Sequence, residues 1–279
     1  MLTTIKPKTK TLILYLCLPV AMFVFTVFVP LVTALVYSFF EWKGGPVKTL
    51  SLIHIYRDTI KNWLTTDENG LYILDQKQIE AYISELAAKY DTVGTERTFN
   101  TYDGREITVG GGNYGWQIDQ KEEVKELTRL IKNEETQVRE PVYSHKGLVR
   151  KTNDIGYTYI EIDLTAQRMV FYKDGTPIAD AQIVSGNPFV PNCATPAGCY
   201  TTGEIKSGYT VNGEDYPSAV NYWIPFDENL GINDAPWRTA FGEQLYEFEG
   251  THGSICAPAD QMQIIYNNVE KNTPVVIYE

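Results

Sequence analysis

Apolar and polar residues alternate along much of the C-terminal half of the chain. Every second residue is aliphatic in residues 159–164 (YIEIDL), and a second apolar stretch follows at residues 168–172. A Lys173-Asp174-Gly175 turn separates that stretch from a third one at residues 178–185. Period two between tight turns is typical of antiparallel strands. These stretches predict a sheet built from short strands.

The end of the chain adds one element of a different kind. Apolar residues recur at helical spacing from Gln261 to Val269, and a last strand is predicted from Pro274 to Tyr278. We therefore expect a mainly β domain over residues 157–279, a sandwich or barrel with one helix.

Residues 56–140 show a mixed pattern. Two helices are predicted to begin at Asp75 and Asp119, because each aspartate precedes a Gln or Glu three residues on and then an apolar face. A hairpin with an Asp103-Gly104 turn lies between them. This pattern predicts a small α+β domain, joined by a polar linker at residues 141–156 to the β domain, with few contacts across the linker.

The N-terminal region contains a charge-free run from Thr11 to Phe40, preceded by three lysines. A span needs about 20 apolar residues, and a basic flank favours the cytoplasmic side. We expect residues 1–55 to be a cytoplasmic tail, an uncleaved transmembrane helix and a junction, with the rest of the chain extracytoplasmic at the cell membrane.

Two interpretations of residues 1–55 stay open. The run resembles the first transmembrane helix of a sugar-transporter permease, and residues 50–55 (LSLIHI) resemble a translated sequencing-adapter fragment. The segment is then either a chimeric join or an ordinary anchor with its linker.

Composition and charge exclude several classes of function. With 35 acidic against 24 basic residues, the chain lacks the basic face that nucleic-acid binding needs. The four cysteines do not have the spacing of a zinc site, so no metal or cofactor is expected. Cys193 and Cys199 flank a turn, and two interpretations stay open for them: a disulfide or two half-buried thiols.

The segment Gly250-Thr251-His252-Gly253-Ser254-Ile255-Cys256-Ala257-Pro258 resembles the Ser/Thr-His-Gly-Cys motif of the L,D-transpeptidases. Further similar blocks occur in the family's order at residues 160–164, 184–188, 194–198, 220–226, 234–238 and 272–276. Residues 110–119 (GGGNYGWQID) and their flanks resemble the peptidoglycan-binding domain that precedes this catalytic domain. The resemblance implies 3→3 cross-linking of peptidoglycan stem peptides by acyl transfer.

The residues that would carry this chemistry are altered. Ser254 stands at the position of the family's cysteine nucleophile, and Cys256 stands where Asn or Arg is usual. In the block of residues 231–234 (GIND), Asn233 replaces the family's histidine base beside Asp234. An amide does not take up a proton near neutral pH, and a hydroxyl depends on a base more than a thiol does.

Three possibilities follow for the site. In the first, His252 pairs with Ser254, since residues two apart on a strand share a face. In the second, Cys256 supplies the thiol. In the third, neither nucleophile works. We expect Ser254, His252, Asn233, Asp234 and Cys256 to converge under a lid of residues 200–222. Binding roles are predicted for four further residues, Tyr222, Trp237, Arg238 and Gly253.

Two interpretations stay open for Arg238: a binding role in the site, or a structural ion pair. The sequence leaves open an enzyme, which β-lactams such as carbapenems would acylate if a nucleophile is active, or an inactive relative that binds peptidoglycan.

Overall fold

The computed structural model describes residues 55, 57–150, 153–212 and 217–279. The predicted tail, transmembrane helix and most of the junction lie outside the described residues. Within the described part, none of the helices combines the length and the apolar character that a membrane span requires.

Helices and strands alternate in the first part of the described chain, and strands dominate the second. Helices α1 to α5 are Arg57–Asn62, Gln76–Tyr90, Gln120–Lys132, Leu245–Glu249 and Ala259–Asn268. Strands β1 to β9 are Leu64–Thr66, Tyr72–Leu74, Arg97–Asn100, Glu106–Val109, Gln117–Ile118, Tyr143–His145, Tyr159–Asp163, Arg168–Lys173 and Thr176–Gln182. Strands β10 to β15 are Gly198–Thr201, Lys206–Asn212, Pro217–Pro225, Gly231–Asp234, Ile255–Ala257 and Pro274–Tyr278.

Two sheets form the C-terminal part. One has the strand order β10-β15-β7-β8-β9, and the other has the order β11-β12-β13-β14. Aliphatic residues of both sheets and of α5 share one buried cluster, which includes Ile160, Phe171, Ile232, Ile255 and Ile265. The predicted mainly β domain is confirmed. The expectation of one helix is wrong, because the short α4 also forms; it buries no residue and so leaves no apolar period in the sequence.

The helix starts and the hairpin of the first part are also confirmed. The Asp75 carboxylate accepts from the Lys77 N–H and caps α2, while the Asp119 carboxylate accepts from the Glu122 N–H and caps α3. Strands β3 and β4 pair in register across the predicted turn. Apolar residues of α2 and α3 pack together in a second buried cluster: Ile79, Ile83, Ala87, Val124 and Leu127.

The expectation of few contacts between the two parts is wrong. A third buried cluster takes Phe99 and Val109 from the β3–β4 hairpin, and Cys199, Val276 and Tyr278 from the five-stranded sheet. The reason is physical: the outer face of that sheet is itself partly apolar and needs a cover. The described residues from 55 onward therefore form one compact unit.

The polar residues of that outer face are paired by the same hairpin. Glu161 is 1% exposed, and its Oε1 accepts from the Tyr102 N–H and from the Tyr278 hydroxyl, both at 2.7 Å. Arg105 Nη2 lies 2.9 Å from Asp163 Oδ2. The aliphatic and acidic residues that alternate along β7 therefore lie on two faces that are both buried. The core covers the aliphatic face, and the β3–β4 hairpin covers the acidic one.

The predicted linker is not free of structure. Its residues 143–145 form β6, which pairs with β5, and the Tyr143 ring packs edge-on against Trp116. The Tyr114 hydroxyl donates to the Asp154 carbonyl at 2.7 Å. Tyr114 and Trp116 are therefore buried side chains of the fold.

Cys193 and Cys199 are both buried and both free. Of the two interpretations that the sequence left open, the structure supports the pair of thiols. Burial raises the pKa of the Cys199 thiol to about 12, which keeps it protonated at neutral pH.

Candidate active site

Parallel pairing of β13 with β14 positions the centre of the site. Ile232 lies opposite Ile255, and Asn233 lies opposite Cys256. Because side chains alternate along a strand, the two isoleucines point into the core while the other pair lies on the opposite face. Asn233 and Cys256 are 3% and 4% exposed, so both are held inside the protein.

The Asn233 amide is engaged by its neighbours. Its Nδ2 donates to the Asp234 carbonyl at 2.8 Å and lies 3.6 Å from Cys256 Sγ. An amide with these contacts is a donor and has no proton to exchange near neutral pH. Asn233 therefore positions its neighbours and does not act as a base.

Ser254 lies just before β14 and is half-buried. Its Oγ accepts from the Gly231 N–H at 3.3 Å, which is its one hydrogen bond among the residues described by the structure. This contact uses an acceptor orbital of the hydroxyl and offers no destination for its proton. The Ser254 carbonyl accepts from the Thr251 hydroxyl, so the backbone of the turn is fixed at this residue.

A threonine outside the predicted site holds the same turn. Thr195 Oγ1 donates to the Gly253 carbonyl at 2.9 Å and accepts from the Gly186 N–H at 2.8 Å. Gly253 has a φ of +100°, a conformation that residues with a Cβ rarely adopt. Thr195 was missed as a site residue, although it belongs to one of the sequence blocks that carry the resemblance. Gly253 shapes the turn.

His252 does not pair with Ser254. Its side chain is exposed, and no hydrogen bond joins these two residues within the described part of the chain. The geometry needed for a Ser–His pair, a contact of about 3.2 Å or less, is therefore not formed.

Cys256 is buried within the sheet. Its N–H and carbonyl both pair with Val184 at 2.9 Å, so β14 has backbone partners on two sides. Burial raises the pKa of the Cys256 thiol, and the nearby Arg238 guanidinium and the Asn233 amide act in the opposite direction. A protonated, enclosed thiol is a poor nucleophile.

Asp234 joins strands β12 and β13. It is fully buried, its Oδ1 accepts from the Tyr222 N–H at 2.9 Å, and its Oδ2 accepts from Asn221 Nδ2 at 2.7 Å. Asp234 and Tyr222 are thus brought together, with the Tyr222 ring tilted against Tyr266. Asn221 was not predicted, because only the pairing of the strands shows that it reaches this carboxylate.

Residues 200–222, the predicted lid, do not form one separate element, and a covering role for any of them stays a prediction. Tyr200 is 5% exposed and packs against Phe226 in the core, so it belongs to the sheet. The part that forms a separate hairpin is β11 with β12, whose tip at residues 213–216 lies outside the described residues.

Arg238 and Trp237 have different surroundings. The Arg238 guanidinium bonds to the Glu249 carbonyl, and its Nη1 lies 3.5 Å from Glu249 Oε2. This favours the structural ion pair among the two interpretations of Arg238. Trp237 is 51% exposed and its ring remains accessible.

Two family models match the chain. The L,D-transpeptidase catalytic domain matches residues 157–277, and the "Putative peptidoglycan binding domain" matches residues 48–139. A cysteine-to-serine mutant of the Enterococcus faecium L,D-transpeptidase is 35% identical, with 80% of this chain and 90% of that chain covered at a TM-score of 0.63. This chain belongs to the L,D-transpeptidase family.

A second solved structure of the family is similar to this chain to the same degree. The Ldtfm–avibactam carbamoyl enzyme is 34% identical, with 81% of this chain and 88% of that chain covered at a TM-score of 0.63. Among curated proteins, none matches the chain significantly. In this member of the family, Ser254, Asn233 and Cys256 lie together, while His252 and Trp237 lie on the surface.

Proposed function

We propose that this protein binds peptidoglycan stem peptides beside Ser254 and cross-links them slowly or not at all. One observation carries the proposal: the Ser254 hydroxyl receives a hydrogen bond from Gly231 and has no proton acceptor among its described neighbours. The family's 3→3 acyl transfer needs such an acceptor to form the nucleophile.

The size of the expected loss follows from the chemistry. General-base assistance contributes about 10²- to 10⁴-fold, and residues of one catalytic unit lose activity together rather than additively. Asn233 cannot replace the base, and serine needs a base more than cysteine does. The backbone that shapes the turn is retained through Thr195, Thr251 and Gly253, so binding is expected to outlast turnover.

A carbapenem reaction tests this proposal. By intact-mass spectrometry, the double variant Asn233→His with Ser254→Cys should form a covalent adduct at least about 100-fold faster than the unaltered protein. The single variants should react far more slowly than the double variant, because each lacks one partner. Adding Cys256→Ser to the double variant is the matched control, and the adduct should persist.

Two results would contradict the proposal. One is an adduct on the unaltered protein at the rate of the double variant, in which case peptide mapping to Ser254 or Cys256 would identify the nucleophile. The other is a failure of the unaltered protein to bind soluble disaccharide-tetrapeptide in calorimetry, since the site at Ser254 would then have lost binding as well as turnover.

The proposal places the protein at the cell wall, held to the membrane by residues 11–40. Its support is the charge-free run and the three lysines before it. Removing residues 1–55 should release the protein from membranes and leave its cooperative unfolding unchanged. Aggregation of the shortened chain would argue that this segment contributes to the fold.

A further inference from the structure

The glycine-rich segment Gly110-Gly111-Gly112-Asn113 lies against β10, the edge strand of the five-stranded sheet. The Cys199 N–H donates to the Gly111 carbonyl at 3.3 Å, and the Tyr114 N–H donates to the Cys199 carbonyl at 3.0 Å. Between them Gly112 has a φ of +74°, and a Cβ there would overlap the Cys199 carbonyl, so this approach requires glycine. The segment therefore covers the open edge of β10 with backbone hydrogen bonds.

Asn113, the last residue of this segment, joins the two sheets of the β domain. Its Oδ1 accepts from the Thr201 N–H at 2.9 Å, at the end of β10. Its Nδ2 donates to the Phe226 carbonyl at 3.1 Å, just after β12. A side-chain amide supplies a donor and an acceptor at once, whereas a carboxylate supplies acceptors only. One side chain from the α+β domain therefore bridges the five-stranded and the four-stranded sheet.

One end of this bridge leads directly to the turn before β14. The Phe226 N–H donates to the Leu230 carbonyl at 3.0 Å, which closes the turn between β12 and β13. Leu230 lies against Gly253, since a Cβ on Gly253 would be 3.0 Å from Leu230 Cδ2. The next residue, Gly231, donates its N–H to Ser254 Oγ at 3.3 Å. The β12–β13 turn therefore contacts both the backbone and the hydroxyl of the candidate site.

The other end leads to the same turn by a second route. Thr201 ends β10, and β10 follows a segment in which Thr195 Oγ1 donates to the Gly253 carbonyl at 2.9 Å. Ala194 borders this turn as well, since a Cβ on Gly253 would be 3.3 Å from the Ala194 carbonyl oxygen. Two segments thus pack on the Gly253 turn, and the same amide holds the strand or turn that adjoins each of them.

We propose that Asn113 is a positioning residue for the Ser254 site, through which the α+β domain fixes the turn before β14. The amide bonds to backbone atoms of Phe226 and Thr201, so it acts on the site through them. Its loss should loosen the β12–β13 turn and with it the Gly231 N–H that bonds to Ser254. The inference concerns the geometry of the site and holds whether or not Ser254 reacts, so it goes beyond the proposed function.

Hydrogen–deuterium exchange of the full chain, followed by mass spectrometry of its peptides, tests the assignment. Asn113→Ala should speed exchange in residues 226–231 and 250–256 on the order of tenfold, because two hydrogen bonds are lost. Asn113→Asp keeps the acceptor for Thr201 and lacks the donor to Phe226. It should therefore still speed exchange in residues 226–231 while the Thr201 amide stays protected. Exchange in α2 and α5 should not change, which shows that both variants are folded.

Arg105→Gln is the matched control. It also removes a side-chain contact between the two parts of the chain, the 2.9 Å pair of Arg105 with Asp163, but it does so at β7. Exchange in residues 226–231 and 250–256 should then equal that of the unaltered protein. Three outcomes would overturn the inference: no faster exchange in these peptides of Asn113→Ala, an equal rise in α2 and α5, or the same rise in Arg105→Gln. None of them involves a ligand or turnover, so each is distinct from a failure of the proposed function.

Discussion

Phe99 packs the β3–β4 hairpin against the outer face of the five-stranded sheet. Phe99→Ala should therefore destabilise the α+β part and the β part of the chain together. The side chain is 3% exposed. Its ring lies edge-on to Tyr159 at a centroid distance of 5.4 Å and tilted to Tyr278 at 6.4 Å. Truncating a buried Phe costs about 3–5 kcal/mol, and loss of the edge-on ring pair accounts for about 0.5–1.5 kcal/mol of it.

That cost is a large share of the roughly 5–15 kcal/mol that stabilises a typical domain. Urea unfolding followed by circular dichroism and by tryptophan fluorescence measures it. The unaltered protein should unfold in one transition with both probes, because the shared cluster couples the two parts. Phe248→Ala is the matched control, because Phe248 is 80% exposed and should change stability by less than about 0.5 kcal/mol.

Two results would refute this reasoning. One is a cost below about 1 kcal/mol for Phe99→Ala, which is less than the transfer term of a buried ring allows. The other is separate unfolding of the two parts in the unaltered protein, which would show that the shared cluster does not couple them.

Three further outcomes are expected. Burial raises the pKa of the Glu161 carboxyl in the folded protein. Protonated Glu161 therefore stabilises the fold fully below its unfolded pKa of about 4.3, and this stabilisation is lost as pH rises through its folded pKa. The free energy of unfolding of Glu161→Gln relative to the unaltered protein should therefore increase from pH 4.5 to 8 in urea titrations; a constant difference would contradict this. Gly231→Ala should cost about 1–3 kcal/mol, because a Cβ there would lie 2.6 Å from the Trp223 ring; an unchanged urea midpoint would refute the contact. Iodoacetamide should alkylate Cys256 on the order of 100-fold faster in unfolded than in native protein, and equal rates by peptide mapping would show that the thiol is accessible.

The features that the sequence predicts well depend on residues close together in the chain. The caps at Asp75 and Asp119 depend on atoms two or three residues away, and the hairpin turn at Asp103-Gly104 sets its own register. The strands of the β domain appear as alternation because one face of each packs on a common core. Such patterns can be recognised without knowledge of what packs on the other face.

The contacts between the two parts could not be predicted in this way. Glu161 and Asp163 have the spacing of a solvated strand face, yet Tyr102 and Arg105 cover them from residues about 60 positions earlier. A polar residue that is buried against a distant partner has the same local pattern as one that is exposed. The alternation identified the strand and could not identify its neighbour.

In the candidate site, too, the sequence predicts the residues of local motifs but not the contacts between distant segments. The motif located Ser254 and Cys256, the block of residues 231–234 located Asn233, and parallel pairing of β13 with β14 places them on adjacent strands. The supporting contacts of Thr195 and Asn221 required the fold, because each crosses between segments far apart in sequence.

Under the proposed function, different residues of this site hold its backbone and would carry its chemistry. The turn before β14 is held by the Thr195 and Thr251 hydroxyls, and β13 is held to β12 by the Asp234 carboxylate. None of these contacts involves the reacting atoms of a nucleophile or a base. Under the proposed function, exchanging the side chains at Ser254 and Asn233 would therefore change proton transfer without moving this backbone. Restoring those two side chains should then restore turnover on an unchanged scaffold.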